Sequence, residues 1–409
     1  MKILLITPKF PNDLARLFNL TTTPFGGWID GLVNNLNKFD DISLNIAVFN
    51  KSNEDSINNK TFDNINCFYI NYSKDAIKTF FKDNIFDVIH IIGIEHAYIK
   101  NLKDYLPYDR TLINITGIQY EYAKVFMSKY NKFNEIKNPL LHLNLKLQNK
   151  IITNRGNVEK EVLRKANYVV GRTDWDKNSV LSINPDLTYF KCNETLRDVF
   201  YTHKKWKFNN CEKHTLFVSQ GASPIKGTHM VLEIVKLLKK QFPNVKCYIA
   251  GEDITKSKSI FTLLNANYAS LIKKLIKKYN LKDNIVFTGF LNEEQIAEKM
   301  ITSHVFLMPS SIENSVNSLQ EAMILGLPCV SSLVGGVPSL IDKDSCLTYK
   351  FDDPQDASSK ISLIFNSAQV ASFLSDNGIN RIVKLANPNT NTNQMINIYK
   401  SIVGDNNEN

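Results

Sequence analysis

The sequence predicts an α/β protein of two doubly wound, Rossmann-like units facing across a cleft, and three observations predict it. Short apolar runs alternate with helical stretches along most of the chain. Its 409 residues exceed what a single hydrophobic core commonly serves and suit two domains. Residues 309–340 then set out strand, loop, helix, glycine stop and strand in sequence, with two glutamates among them. Strands of a parallel sheet are covered on both faces, so they read as continuous apolar runs.

In the first unit such runs fall at residues 3–6, 44–48, 67–70, 88–92, 111–115 and 168–170. A loop carrying Gly26, Gly27 and Trp28 follows the first of them and leads into a helical pattern over 29–36. The second unit repeats the scheme, with strands at 215–218, 247–250, 285–288, 305–308 and 329–332. Its first helix, expected over 228–241, places Met230, Ile234 and Leu237 at helical spacing on one face. The polar stretch 201–213 marks the boundary, giving domains at 1–205 and 206–385. Residues 386–409 form a last segment, with Met395, Ile398, Tyr399 and Ile402 as one apolar stripe and a polar tail. Open sheets of this kind bind ligands beyond the carboxyl ends of their strands, and the cleft between two of them is the default site.

Composition narrows the function. Hydrophobic content of 43% and charged content of 22% are those of a globular protein. No apolar run approaches the roughly 20 residues that span a bilayer, and the first apolar run is too short for a signal peptide. A cytoplasmic protein is expected. The six cysteines are scattered without C-x-x-C spacing, which points to reduced thiols and away from zinc. The net charge of +9 is unevenly spread: residues 123–165 carry ten basic side chains against three acids, interleaved with leucines and aromatics. Such a segment can rest on the anionic inner face of a membrane; a basic solvated face over ordinary core leucines is the alternative. No nucleic-acid-binding motif accompanies the charge.

The segment 309–340 carries the chemistry. Ser310 and Ser311 leave a buried strand, and Ser315, Asn317 or Ser318 can cap the helix that follows. The first N–H groups of a helix lack intrahelical acceptors and carry partial positive charge, so they bind phosphate. Glu321 lies about one turn inside, where a carboxylate accepts hydrogen bonds from both hydroxyls of a ribose. Glu313 stands ahead of the helix, where a sugar beyond the phosphates would lie. Gly326 and Pro328 stop the helix, and Gly335-Gly336 gives a second place for close backbone approach. Acids near a helix start also serve simply to complement the helix dipole.

This order resembles the nucleotide-sugar signature of the retaining GT-B glycosyltransferases of family GT4, whose members carry a glutamate pair with seven residues between. The resemblance implies that Glu313 lies near the donor sugar and Glu321 binds the ribose. Where that family has glycines meeting the diphosphate, this chain has Asn314, Ser315, Val316 and Asn317, followed by Ser318. Lys226-Gly227 stands where the family places a lysine that reaches the diphosphate, and Gly26-Gly27 where its glycine loop approaches the donor. The family's arginine five positions before that lysine is Gly221 here, with Arg172, Lys177 or Arg197 as candidate substitutes. Its N-domain histidine falls at Thr116, so Gln119, or Glu95 and His96, would take up that polar contact with sugar or acceptor. The segment 193–197, Asn-Glu-Thr-Leu-Arg, is similar to a subgroup of bacterial surface-polysaccharide enzymes. GT-B proteins often return the last helix to the first domain, as the stripe at 395–402 would permit.

The expected function is therefore retaining transfer of a sugar from a nucleotide diphosphate sugar to a hydroxyl of a glycan or lipid-linked glycan. UDP is favoured by family frequency, and neither a cofactor nor a metal is required. Glu313 and Lys226 would be catalytic. Glu321, Gly26, Gly27, Gly227, Ser315, Val316, Asn317 and Ser318 would hold the donor. A non-catalytic subunit of the same fold, or a nucleotide-sugar epimerase or hydrolase, are the alternatives.

Overall fold

The computed structural model describes residues 1–21, 27–51, 57–126, 138–264 and 266–408. The chain divides into two compact units. The first comprises 1–120, 154–197 and 386–409, and the second 121–153 and 198–385. The final helix, Pro388–Glu408, thus belongs to the first unit, while 121–153 groups with the second.

The first unit is an eight-stranded sheet: β1 (Lys2–Ile6), β2 (Ser43–Asn50), β3 (Ile57–Phe62), β4 (Ile65–Asn71), β5 (Val88–Ile92), β6 (Thr111–Asn114), β7 (Tyr168–Gly171) and β8 (Thr188–Lys191), in spatial order β3-β4-β2-β1-β5-β6-β7-β8. All neighbours pair in parallel except β3, an antiparallel edge strand on β4. The central strands are apolar and buried at nearly every position, β5 at all five. Two apolar layers cover the sheet. One holds Ile77, Phe80, Ile99, Leu102 and Val162; the other holds Ile29, Val33 and Leu36 with Met395, Tyr399 and Ile402 of the final helix. The predicted apolar stripe of that helix is thus a core face.

Among the polar groups buried in this unit, one ties the final helix to the sheet. His90, in the middle of β5, is fully buried, and its Nδ1 lies 2.7 Å from the Tyr399 hydroxyl. A buried polar side chain without a partner is costly, so this bond fixes where the final helix packs.

The second unit is a six-stranded parallel sheet of β9 (Thr215–Val218), β10 (Lys246–Ile249), β11 (Ile285–Phe287), β12 (Val305–Met308), β13 (Cys329–Ser332) and β14 (Leu347–Tyr349), ordered β11-β10-β9-β12-β13-β14. This is the 3-2-1-4-5-6 order of a dinucleotide-type fold. The helix after β9 spans Thr228–Leu238, shorter than the expected 228–241; Met230, Ile234 and Leu238 are buried, and Leu237 only partly. Trp206 enters the unit by donating its indole N–H to Ser303 O at 2.8 Å and its backbone N–H to Leu325 O at 2.7 Å. Glycine ends the helix Asn317–Ile324, with Gly326 at φ +80° donating to Met323 O at 2.9 Å.

Buried neutral histidines make both units acid-sensitive. Burial pushes the pKa of His90 and of His229 down to about 3. An unfolded chain binds those protons near pH 6.5, so falling pH favours unfolding. The histidines' contribution is complete above about pH 6.5 and is lost progressively as the pH falls towards 3. At pH 5 each histidine should cost about 2 kcal/mol. Urea unfolding at pH 5 and 7.5 checks this: His90→Gln should flatten the pH dependence by about one proton, and an unchanged slope would refute it.

Candidate functional site

The strand order of the second sheet reverses between β9 and β12, so the loops leaving these strands diverge and open a crevice. Both predicted catalytic residues stand there, Lys226 after β9 and Glu313 after β12. The first loop ends in a single turn, Pro224–Lys226, followed by Gly227 at φ +73°. A Cβ on Gly227 would stand 1.9 Å from Pro309 O, so the position requires glycine for both conformation and space. Ser311 donates its backbone N–H to Ile225 O at 2.8 Å, joining the two loops again one residue away.

Between those contacts Lys226 and Glu313 form an ion pair. Lys226 Nζ lies 2.6 Å from Glu313 Oε1, and Ser310 Oγ donates to the same oxygen at 2.6 Å. The glutamate side chain is 11% exposed and the lysine 26%. A third loop, after β13, completes the frame. Gly336 donates its N–H to Glu313 O at 2.9 Å, and Gly335 has φ +50°. A Cβ on Gly335 would fall 2.0 Å from Glu313 O. Ser332 Oγ donates to Ser310 O at 2.6 Å. Ser310, which supports the glutamate, was not singled out by sequence reasoning, although its place three residues before Glu313 is a legible signal.

Glu321 is buried on the helix Asn317–Ile324, about one turn from its start. The cap differs from expectation: Val316 is the N-cap residue and no side chain caps the helix. Ser318 instead accepts from Ser219 Oγ at 2.9 Å, linking the helix to the end of β9, and Ser315 and Asn317 accept weakly from Gln320 Nε2 at 3.3 and 3.4 Å. The absence of an arginine at 221 also has a steric account. A Cβ on Gly221 would lie 2.6 Å from Ile249 Cγ2 and 2.8 Å from Thr228 Oγ1. Thr228 Oγ1 donates to Gly221 O at 2.7 Å, so no side chain fits there.

In the first unit the candidate residues again follow strand carboxyl ends. Gly93, after β5, takes φ +77° and lets Glu95 fold back. Thr116 Oγ1, after β6, donates to Glu95 Oε1 at 2.5 Å, and His96 Nε2 lies 3.9 Å from the same oxygen. Glu95 Oε2 is buried and has no hydrogen-bond partner among the described residues. Burial and the nearby Arg155 charge hold the His96 pKa below its usual value against the opposing pull of Glu95. Gln119 opens the helix Gln119–Val125. Glu159, a residue sequence reasoning passed over, accepts from Tyr120 N at 3.2 Å there, and burial pushes its pKa up to about 8.

Arg172, after β7, is tied to the protein by its side chain. It forms a buried ion pair with Glu194 and donates from Nη2 to Ile115 O at 3.3 Å. The adjoining Asp174-Trp175-Asp176 is architecture: Thr173 caps the helix Asp174–Leu181 in a reciprocal box with Asp176. Gly27 opens the helix Gly27–Leu36, and Gly26 lies outside the described residues.

Residues 200–381, most of the second unit, match the family model described as glycosyl transferases group 1. The chain is 26% identical over 180 residues to an uncharacterized glycosyltransferase, YqgM, of Bacillus subtilis; the match covers 44% of this chain and 46% of that protein. The chain thus spans about half the length of this curated relative. Among solved structures, sucrose-phosphate synthase of Thermosynechococcus elongatus superposes with a TM-score of 0.69 at 16% identity, over 98% of this chain and 99% of that one. Anabaena HepE, in complex with UDP, superposes with a TM-score of 0.64 at 14% identity, over 98% and 100%. These likenesses show the GT-B fold.

The ion pair generates a stability prediction. Lys226→Met leaves Glu313 buried without its countercharge and should cost about 1–3 kcal/mol, below the value for a fully buried pair because the lysine is partly exposed. The double variant Lys226→Met/Glu313→Gln should recover part of that loss in urea melts. Strictly additive losses would show that the two groups are not coupled.

Proposed function

We propose that this chain, which is similar to the GT4-type glycosyltransferases of GT-B fold, moves a sugar, with retention of configuration, from a nucleotide diphosphate sugar to a hydroxyl of a glycan or lipid-linked glycan. UDP is the favoured carrier, surface-polysaccharide assembly the setting, and the cytoplasmic face of a membrane the place of work. The observation that carries the reading is the Lys226–Glu313 pair at the switch point of the second sheet, with Glu321 on the adjoining helix. The UDP-bound structural neighbour supports the choice of base.

In this reading the diphosphate lies at the start of the helix Asn317–Ile324, where backbone N–H groups and the dipole favour negative charge. Lys226 turns from Glu313 to the phosphates and stabilises the charge that develops on the leaving group. Glu313, still held by Ser310 and by its own backbone, then has an oxygen able to accept from a donor-sugar hydroxyl. Glu321 accepts from the ribose. The acceptor hydroxyl attacks the face the diphosphate leaves, and the departing phosphate takes its proton. Protein groups do this neutralisation, so no metal is required. The first unit binds the acceptor, with Glu95, Thr116, His96 and Gln119 as its polar contacts.

One observation favours a second reading, a binding subunit without turnover. Gly221 admits no side chain and Arg172 is committed to Glu194, so phosphate-neutralising charge is reduced.

Phosphorus NMR of UDP-sugars incubated with the protein, with and without a lipid-extract acceptor, separates these. Acceptor-dependent release of UDP is expected, with proton NMR of the product showing the anomeric configuration of the donor. Lys226→Met should lower kcat about 100-fold or more, as loss of a transition-state charge partner does. Glu321→Ala should chiefly raise the donor KM. Consumption of donor without acceptor would favour a hydrolase or epimerase, and no turnover with intact binding would favour the subunit.

A further inference from the structure

The helix Pro139–Lys165 has a feature that the transferase reading leaves unexplained. Leu140, Leu143, Leu147 and Ile151 are 51%, 55%, 55% and 54% exposed. At 3.6 residues per turn they form a single stripe about 80° wide and about 16 Å long. Leu141 and Leu145, on the opposite side, are buried at 2% and 0% and hold the helix to the protein. Lys146 and Lys150 are exposed along one flank of the stripe, and Arg155 lies exposed on the other. No aspartate or glutamate occurs between residues 138 and 158.

We propose that this face is a docking surface for an anionic lipid bilayer, with the four apolar side chains at the headgroup–acyl boundary and the lysines against lipid phosphates. The arrangement is that of an interfacial helix: an apolar stripe, cationic flanks and no acid to oppose the surface potential. None of the described helices is long and apolar enough to cross a membrane, so contact of this kind is made from one side. A stable protein partner is a poorer occupant, since four side chains fall well short of the roughly 20–30 residues a side that such interfaces use. The proposal deepens the transferase reading, and rests on it only in that a lipid-linked acceptor would be met at this surface.

The test is co-sedimentation of the full chain with extruded vesicles of phosphatidylcholine alone or mixed with phosphatidylglycerol. Wild type should bind the anionic vesicles, bind phosphatidylcholine far less, and release in 0.5 M salt. Leu143→Gln/Leu147→Gln should weaken binding tenfold or more. Lys146→Gln/Lys150→Gln should weaken it about fivefold per lysine on anionic vesicles and hardly at all on neutral ones. All four positions are exposed, so melting temperature and nucleotide binding should be unchanged. Loss of nucleotide binding in the wild type would count against the donor site and leave this surface untouched.

A competing surface supplies the control. Ile260, Phe261, Leu263 and Leu264 are also exposed, on and beside the short helix Ile260–Leu263. Vesicle binding that is abolished by Ile260→Gln/Phe261→Gln, and survives the Leu143/Leu147 changes, would overturn the proposal. So would equal binding to neutral and anionic vesicles, no binding at all, or a dimer in sedimentation velocity that the leucine changes dissociate.

Discussion

A lysine ammonium and a glutamate carboxylate 2.6 Å apart join the loops that the second sheet projects from β9 and β12, and most of the candidate site depends on how that pair is held. Burying two charges is not stabilising in itself, because desolvation offsets their attraction. The pair is held by what surrounds it. Gly227 and Gly335 bring backbone against Pro309 O and Glu313 O more closely than any Cβ would allow, Ser310 bonds the carboxylate, and Gly336 bonds its carbonyl. The stability of the fold is thus spent on fixing two opposite charges beside a helix start. In the proposed function a diphosphate would draw Lys226 away from Glu313.

The first unit solves a different problem on a larger, eight-stranded sheet with an antiparallel edge. Its final helix comes from the far end of the sequence and packs Met395, Tyr399 and Ile402 onto the sheet, with the Tyr399–His90 bond fixing its position. At the carboxyl ends of β5 and β6, Glu95 is folded onto Thr116 by the positive φ of Gly93. Where the resembled family has a histidine, this chain therefore offers a threonine, a glutamate and an adjacent histidine as one polar group.

Legibility followed burial and sequence distance. Strands covered on both faces, such as β1, β5, β9 and β12, are largely apolar runs and could be read directly. β3 could not: Ile-Asn-Asn-Lys-Thr-Phe is an exposed antiparallel edge whose pairing with β4 leaves no hydrophobic trace. β8 and β14 are short and partly exposed, and were missed for the same reason. Glu313, Glu321 and Lys226 were legible because each occupies a fixed place relative to a strand end or helix start. The partners were not. Glu194 meets Arg172 from 22 residues away, and Glu159 reaches Tyr120 from 39. Whether an arginine beside a strand is a ligand or a structural tie depends on such contacts, which no local pattern encodes. The grouping of 121–153 with the second unit was likewise invisible, because the helix Pro139–Lys165 runs without a break through residue 153.

In the proposed function Lys226 is a phosphate ligand held in reserve by Glu313. Calorimetric titration of UDP, GDP and ADP into wild type, Glu313→Gln and Lys226→Met tests it most directly. One nucleotide should bind the wild type selectively, bind Glu313→Gln at least as tightly because the lysine is released, and bind Lys226→Met tenfold or more weakly. Equal affinity across the three proteins, or no binding of any nucleotide, would contradict it.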